Sequence, residues 1–260
     1  SWLLWLLLLF VSSGLIGVVA VLGGVGGAVL FVPLISSILP LHIDLVRGTG
    51  LFVALAGALS AAPVTLNHSL SRVTVALPFA LSASLGSIVG ALVGVGLEAR
   101  SVKLWLGVLL IFVVILTAVT TRELRVDDEK GGRRDYSDWW PRNVLPATVL
   151  FFGIGFIGGV FGVGAGWANV PLLVALCGAP LRVAAATSGL VILANSATAS
   201  WIYLSQGAVD PLLTIAAVSG MIIGGRSGAK LLPVVPQSVI RRVVLALLLL
   251  ASIRSIWEAF

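Results

Sequence analysis

Very few residues of this 260-residue chain could do covalent or metal chemistry. It holds one cysteine, Cys177, and two histidines, His42 and His68. A nucleophile with its base, or a metal centre, needs more than this, and a single cysteine excludes an intrachain disulfide. Cys177 reads as a small buried hydrophobe. The histidines sit at segment ends and are assigned no chemistry, so no catalytic residue, metal or cofactor is expected. What remains is the chemistry of the main chain. Gly23-Gly24-Val25-Gly26-Gly27 runs on to Val32-Pro33-Leu34, and 138 positions later Gly162-Val163-Gly164-Ala165-Gly166 runs on to Val170-Pro171-Leu172. Glycine clusters inside apolar sequence let the backbone turn where a helix would otherwise continue. A helix restarting after each cluster offers unpaired N–H groups and the positive end of its dipole, and glycine lets an oxyanion approach them closely. That chemistry is anion binding without a buried cation. Its candidates are Gly24, Gly26 and Gly27 in the first cluster and Gly162, Gly164, Ala165 and Gly166 in the second. For Gly14, Gly17, Gly86, Gly90, Gly224 and Gly228 the expectation is close helix packing.

The elements that must hold these clusters are set by composition. Apolar residues make up 59% of the chain and charged residues 10%, with a mean hydropathy of +1.15. A soluble domain would carry about 25% charge, and so much Leu, Val and Ala is covered by lipid. The net charge of +6 comes from scattered basic residues near segment ends. That is the pattern of topology signals, not of a nucleic-acid-binding face. The stretch Trp2 to Phe10 lacks a basic n-region and a small-x-small cleavage site, so it is expected to be a first membrane helix and not a signal peptide.

Apolar segments run about 2–22, 28–40, 48–66, 73–96 and 101–120, then about 143–161, 166–178, 184–204, 211–235 and 237–257. The first is long enough to cross the hydrocarbon core, whereas 28–40 would span only about 20 Å as a helix, so it is expected to be short or re-entrant. Between the two sets lies 121–142, crowded with charges of both signs. Ungapped superposition at the 138-residue offset pairs Gly24 with Gly162, Gly26 with Gly164, Pro33 with Pro171, Thr49 with Thr187, Gly86 with Gly224 and Gly90-Ala91 with Gly228-Ala229. The expected organisation is a first repeat over 1–120, a cytoplasmic hydrophilic linker over 121–142 and a second repeat over 143–260.

Basic residues arbitrate the relative orientation of the halves. With four crossings per half, Lys and Arg divide 8 to 8 between the two sides. If each short segment completes a hairpin, giving five passes and opposite orientations, they divide twelve to four, with Arg47, Arg100, Lys103 and Arg254 on the poorer side. The bias favours the second arrangement. The expected fold is therefore an all-α integral membrane protein of two inverted repeats, about five segments each, with short broken helices after the glycine clusters. Matching breaks in such halves converge near mid-membrane.

Polar side chains at that depth must find partners. Thr49, Thr187 and Ser188 stand near the starts of third segments, where they cap helices or offer hydroxyls to a ligand. Asn169, in the second short segment, has Phe31 as its counterpart; Asn195, in mid-helix, has Gly57. Both asparagines are candidates for ligand contact. Trp167 and Tyr203 could wall a path or simply pack, and Arg226 and Lys230 are placed to snorkel to the surface.

A glycine-rich cluster, Val-Pro-Leu, and a Thr-Ser pair some sixteen residues on, all duplicated, resembles the sulfite exporter TauE/SafE family of permeases, also described as the 4-toluene sulfonate uptake permease family. The residues are Gly162 to Gly166, Val170-Pro171-Leu172 and Ala186-Thr187-Ser188 in the second half. In the first they are Gly24 to Gly27, Val32-Pro33-Leu34 and Gly48-Thr49-Gly50. The likeness covers nearly the whole chain, with Ala165 and Gly50 as departures where glycine and serine are usual. It implies transport of sulfite or a related sulfur-containing anion across the cell membrane, with the bilayer as the other partner, and leaves oligomeric state unspecified. An anion channel is the alternative on the same residues. Asp44, Glu98, Asp210 and Glu258 fall near segment ends and the other six acids in the linker, which speaks against a side-chain proton relay.

Overall fold

The computed structural model describes residues 2–23, 26–39, 41–66, 73–128, 141–231 and 237–257. They form α1 (Trp2–Gly23), α2 (Gly27–Ile38), α3 (Ile43–Leu66), α4 (Val73–Gly94), α5 (Ala99–Asp128), α6 (Val144–Phe161), α7 (Gly166–Cys177), α8 (Leu181–Ser205), α9 (Pro211–Leu231) and α10 (Gln237–Trp257), and no strand is among the described residues. Six of these helices are long and apolar enough to cross a membrane, while α2 and α7 are shorter apolar pieces. Large hydrophobes face outward: Leu77, Leu81 and Leu85, one turn apart on α4, are 52%, 58% and 61% exposed. A surface of that kind suits lipid and not water.

Two boundaries differ from the sequence reading by five residues or more. Helix α5 continues through Thr121 to Asp128, into the polar stretch, because nothing between 101 and 128 breaks a helix. Residues 129–140 of the expected linker lie outside the described residues. Helix α3 starts at Ile43 and not at 48: Asp44 supplies an acid in the first turn, favourable at the positive end of the helix dipole, and Arg47 is thereby drawn inside the helix.

Close packing follows a two-fold pattern. Along one seam, Gly220, Gly224 and Gly228 of α9 press on the carbonyls of Phe10, Gly14 and Val18 of α1. Shifted by 138 positions, the same contacts recur on α4 and α6. Gly86 and Gly90 press on the carbonyls of Phe152 and Phe156, and Ser82 Oγ donates to Thr148 O at 2.6 Å. Helix axes this close leave no room for a β-carbon, which is why glycine recurs every fourth residue.

These contacts also fix directions. Numbers rise together on α1 and α9, and on α4 and α6, so each pair is parallel. Helix α3 joins the first pair, with Thr49 Oγ1 3.2 Å from Thr214 Oγ1 and Gly57 against Met221. Helix α8 joins the second, with Ser87 Oγ 3.0 Å from Thr198 Oγ1 and Gly94 against Tyr203. Near the start of α3, however, Arg47 bonds to the carbonyls of Gly94 and Val160 at the far ends of α4 and α6. One bundle of α1, α3 and α9 thus runs against another of α4, α6 and α8, and α3 packs on α8 between them. Each bundle takes one long helix from the other half of the chain.

A side chain at a seam glycine must push two helices apart. Gly224→Val is expected to cost about 1–3 kcal/mol or more by overpacking and to lower the apparent Tm of the detergent-solubilised protein. Gly153, with nothing within 4 Å of an added β-carbon, is the control: Gly153→Ala is expected to gain up to about 1 kcal/mol of helix propensity.

Candidate functional site

The two short helices begin half-way along their neighbours. An added β-carbon at Gly27 would lie 2.5 Å from the Met221 methyl, and Met221 is the middle residue of α9. Gly164 faces Ser196 and Ala54, at 3.2 and 3.7 Å on the same measure, near the middles of α8 and α3. The chain therefore leaves α1 and α6, doubles back, and starts α2 and α7 at mid-height. The equivalent glycines Gly26 and Gly164 carry this turn with φ of 86° and 66°, in the left-handed region that only glycine enters cheaply. Beyond α7, Cys177 O accepts from Arg142 N at 3.1 Å, so α7 returns to the level from which α6 set out.

The two breaks meet. A β-carbon on Gly26 would stand 3.4 Å from the Gly166 Cα and 4.0 Å from Ile192, which places the start of α2 directly against the start of α7. Ala28, Ala54 and Ile192 pack together beside them, with Ala58 at the edge. Neither helix start has a side-chain cap: Gly26 and Ala165 occupy the cap positions and make no side-chain bond. Of the residues singled out in the sequence, the structure thus brings Gly26, Gly27, Gly164, Ala165 and Gly166 together. Gly24 lies outside the described residues. Gly162 ends α6 with φ of 67°, and the N–H groups of Val163 and Gly164 both bond back to Gly158 O, at 3.1 and 3.3 Å, as at a glycine-terminated helix.

The polar candidates separate into two groups. The Thr49 hydroxyl is engaged with Thr214, so Thr49 ties α3 to α9. Thr187 is buried at 1% exposure. Like Thr49, it is the seventh residue of its helix and not its cap. Ser188, Asn169 and Asn195 behave differently. They are buried at 2%, 0% and 1% exposure, and Ser188 Oγ, both amide atoms of Asn169 and Asn195 Nδ2 have no hydrogen-bond partner. Trp167, whose ring meets Phe112 edge-on at 6.2 Å between centroids, has an unpartnered Nε1 as well. Buried polar groups are almost always paired, and these four residues fall on two packed helices, α7 and α8.

Arg47 is the residue that sequence reasoning missed. It precedes the apolar segment expected from 48 and counts there among the topology charges, yet it is fully buried. Its Nη1 donates to Val160 O at 2.7 Å and its Nη2 to Gly94 O at 2.8 Å. The same Nη2 is ion-paired with Asp44, Nε has no hydrogen-bond partner, and the Tyr203 ring lies 5.6 Å from its Cζ. Tyr203 O–H donates to Gly159 O and Val160 O at 3.1 and 3.2 Å, while Asp44 Oδ2 accepts from Gly96 N at 3.3 Å. One guanidinium thus closes the carbonyl ends of α4 and α6, where the helix dipoles are negative. It also packs on Gly162, whose added β-carbon would meet the Arg47 Cβ at 2.5 Å. The signal was the Asp44-Leu45-Val46-Arg47 spacing, i to i+3 at a helix start. Arg226 and Lys230 are exposed, as snorkelling residues are.

Removing either partner of this pair leaves the other buried without its counter-charge. Asp44→Asn and Arg47→Gln are each expected to cost about 3–5 kcal/mol. In a double-mutant cycle of thermal unfolding the double variant should cost less than the sum; additive effects would show the two charges to be uncoupled.

The family model described as Sulfite exporter TauE/SafE matches residues 9–255. The chain is 28% identical over 265 residues to a "Probable membrane transporter protein YunE" of Bacillus subtilis (strain 168), covering 96% of this chain and 97% of that protein. No solved structure matches. With helices long enough to span a bilayer and a match running through both sets of five, this chain belongs to the sulfite exporter TauE/SafE family and is a multi-pass membrane transporter.

Proposed function

We propose that the protein moves sulfite or a related organosulfur anion across the cytoplasmic membrane, holding it at mid-depth with backbone N–H groups of two facing helix starts. The observation that carries this reading is the abutment of Gly26 on Gly166, with both helix starts free of side-chain caps. Two positive dipole ends directed at one point favour a negative charge there. The glycines keep that point clear of β-carbons, and hydroxyl and amide groups of α7 and α8 are buried nearby without partners.

In this reading the halves 1–120 and 143–260 are inverted repeats, joined by a cytoplasmic linker over 121–142. Support comes from the opposed directions of α1 and α6, and of α3 and α8, and from the twelve-to-four division of basic residues. The binding point lies where the two bundles touch, so rocking one bundle against the other would expose it to each side in turn. The buried carboxylate among the described residues, Asp44, is matched by Arg47. Charge compensation at the site therefore falls to main-chain dipoles.

The test is thermal stabilisation of the purified full chain by sulfite, sulfate, thiosulfate and sulfoacetate. At least one is expected to raise the apparent Tm of the wild type, and Gly164→Ala to remove most of that rise. Gly207→Ala imposes a similar backbone cost at φ of 70° in open space and is expected to keep it. No stabilisation of the wild type by any of the four would defeat the substrate assignment. In proteoliposomes, flux that saturates with anion concentration separates a carrier from a channel.

A further inference from the structure

The two halves are not equal where they meet. Met221, buried at 1% exposure, sends its thioether into a wedge between α1, α2 and α3. Added β-carbons at Gly27 and Gly17 would stand 2.5 Å from its Cε and 3.0 Å from its Sδ, and Cε also lies against Gly57. Shifted by 138 positions, Gly17, Gly27, Gly57 and Met221 become Gly155, Ala165, Asn195 and Ala83. The second wedge has exchanged its contents: a long side chain on the bundle helix and none on the third helix become a short one and an amide. Ala83 still presses its backbone on Gly155, so the helices keep their spacing. By the same shift, Asn195 holds the position that in the first half is Gly57, against which Met221 packs.

Polarity follows the same division. The unpartnered buried atoms of α7 and α8 belong to Trp167, Asn169, Ser188 and Asn195, whose counterparts Val29, Phe31, Gly50 and Gly57 offer no polar side-chain atom at all. Asn195 Oδ1 already accepts from Ser196 Oγ at 3.3 Å, which leaves Nδ2, a pure donor, unmet. The neighbouring Ser196 faces Gly164, two residues before α7 begins with its own uncapped N–H groups. Donors gathered on one side and an apolar wall on the other describe a site for a compact oxyanion held off the two-fold axis.

Resting on the mid-depth anion site proposed above, we propose that the anion is bound by the second half, through the α7 start and the Asn195 and Asn169 amides, and that Met221 is the specificity-determining residue that closes the first half and limits the size of anion admitted. The donors supply the affinity. The thioether supplies the limit, because an anion with a bulky group must place it where Met221 stands.

The experiment titrates the purified full chain with sodium sulfite and with sodium benzenesulfonate, reading apparent Tm. Asn195→Ala is expected to raise the sulfite concentration for half-maximal stabilisation at least tenfold, and Asn169→Leu, a change of similar volume, to do the same independently. Met221→Ala, which installs the residue of the other half, should leave the sulfite value within threefold of wild type. It should also make benzenesulfonate, without effect on the wild type, stabilising. Met221→Leu, which keeps the volume, should behave as wild type. Sulfite binding lost equally in Met221→Ala and Asn195→Ala, or unchanged in both asparagine variants, would overturn the unequal-halves proposal while leaving the mid-depth site standing. A wild type indifferent to sulfite, sulfate, thiosulfate and sulfoacetate would remove the site and this proposal together.

Discussion

Every main-chain N–H and C=O set free where a helix stops inside an apolar layer must be met by the protein itself, since an unmet group there costs several kcal/mol. This chain starts two helices at mid-height and answers the demand in different ways at amide and carbonyl ends. Carbonyl ends are closed. Gly158 O takes three N–H donors, from Gly162, Val163 and Gly164, and Arg47 with Tyr203 takes the last carbonyls of α4 and α6. Amide ends, at α2 and α7, carry no side-chain cap. The result is a polarised interior, with negative helix ends neutralised and positive ones left to face each other.

That polarity explains why a buried arginine belongs in so apolar a chain. A guanidinium desolvated alone would be costly. Here its Nη groups are met by two carbonyl ends and one carboxylate, with an aromatic face beside it, and Nε alone is left unmet. Among the described residues no second arginine is held in this way. Counterparts of Asp44 and Arg47 in the second half are Arg182 and Ala185, so the two ends of the bundle interface are held by different chemistry.

Much of the fold was legible because lipid simplifies the problem: segment lengths, glycine clusters and the 138-residue offset gave the helices and placed the breaks. The contact of Gly26 with Gly166 falls where the two glycine clusters restart helices α2 and α7. The sequence reading fell short where a single boundary moved. Starting α3 at 48 left Arg47 in a loop, and five residues of extra helix put it in the core. Thr49 illustrates another limit, since nothing in a linear pattern reveals that its hydroxyl faces Thr214 across 165 positions. Met221 was overlooked for the opposite reason, being one more apolar residue until its counterpart, Ala83, is set beside it.

The exchange of helices between halves also bears on how the protein is made. Helix α1 awaits α9, and α4 awaits α6, so the first five helices emerge into the bilayer with both glycine seams vacant. The glycine faces of α1 and α4 find their partners only in the second half of the chain. Both seams are complete only once α9 has been made, so the glycine stripes of the early helices must wait in the bilayer for partners encoded later in the chain.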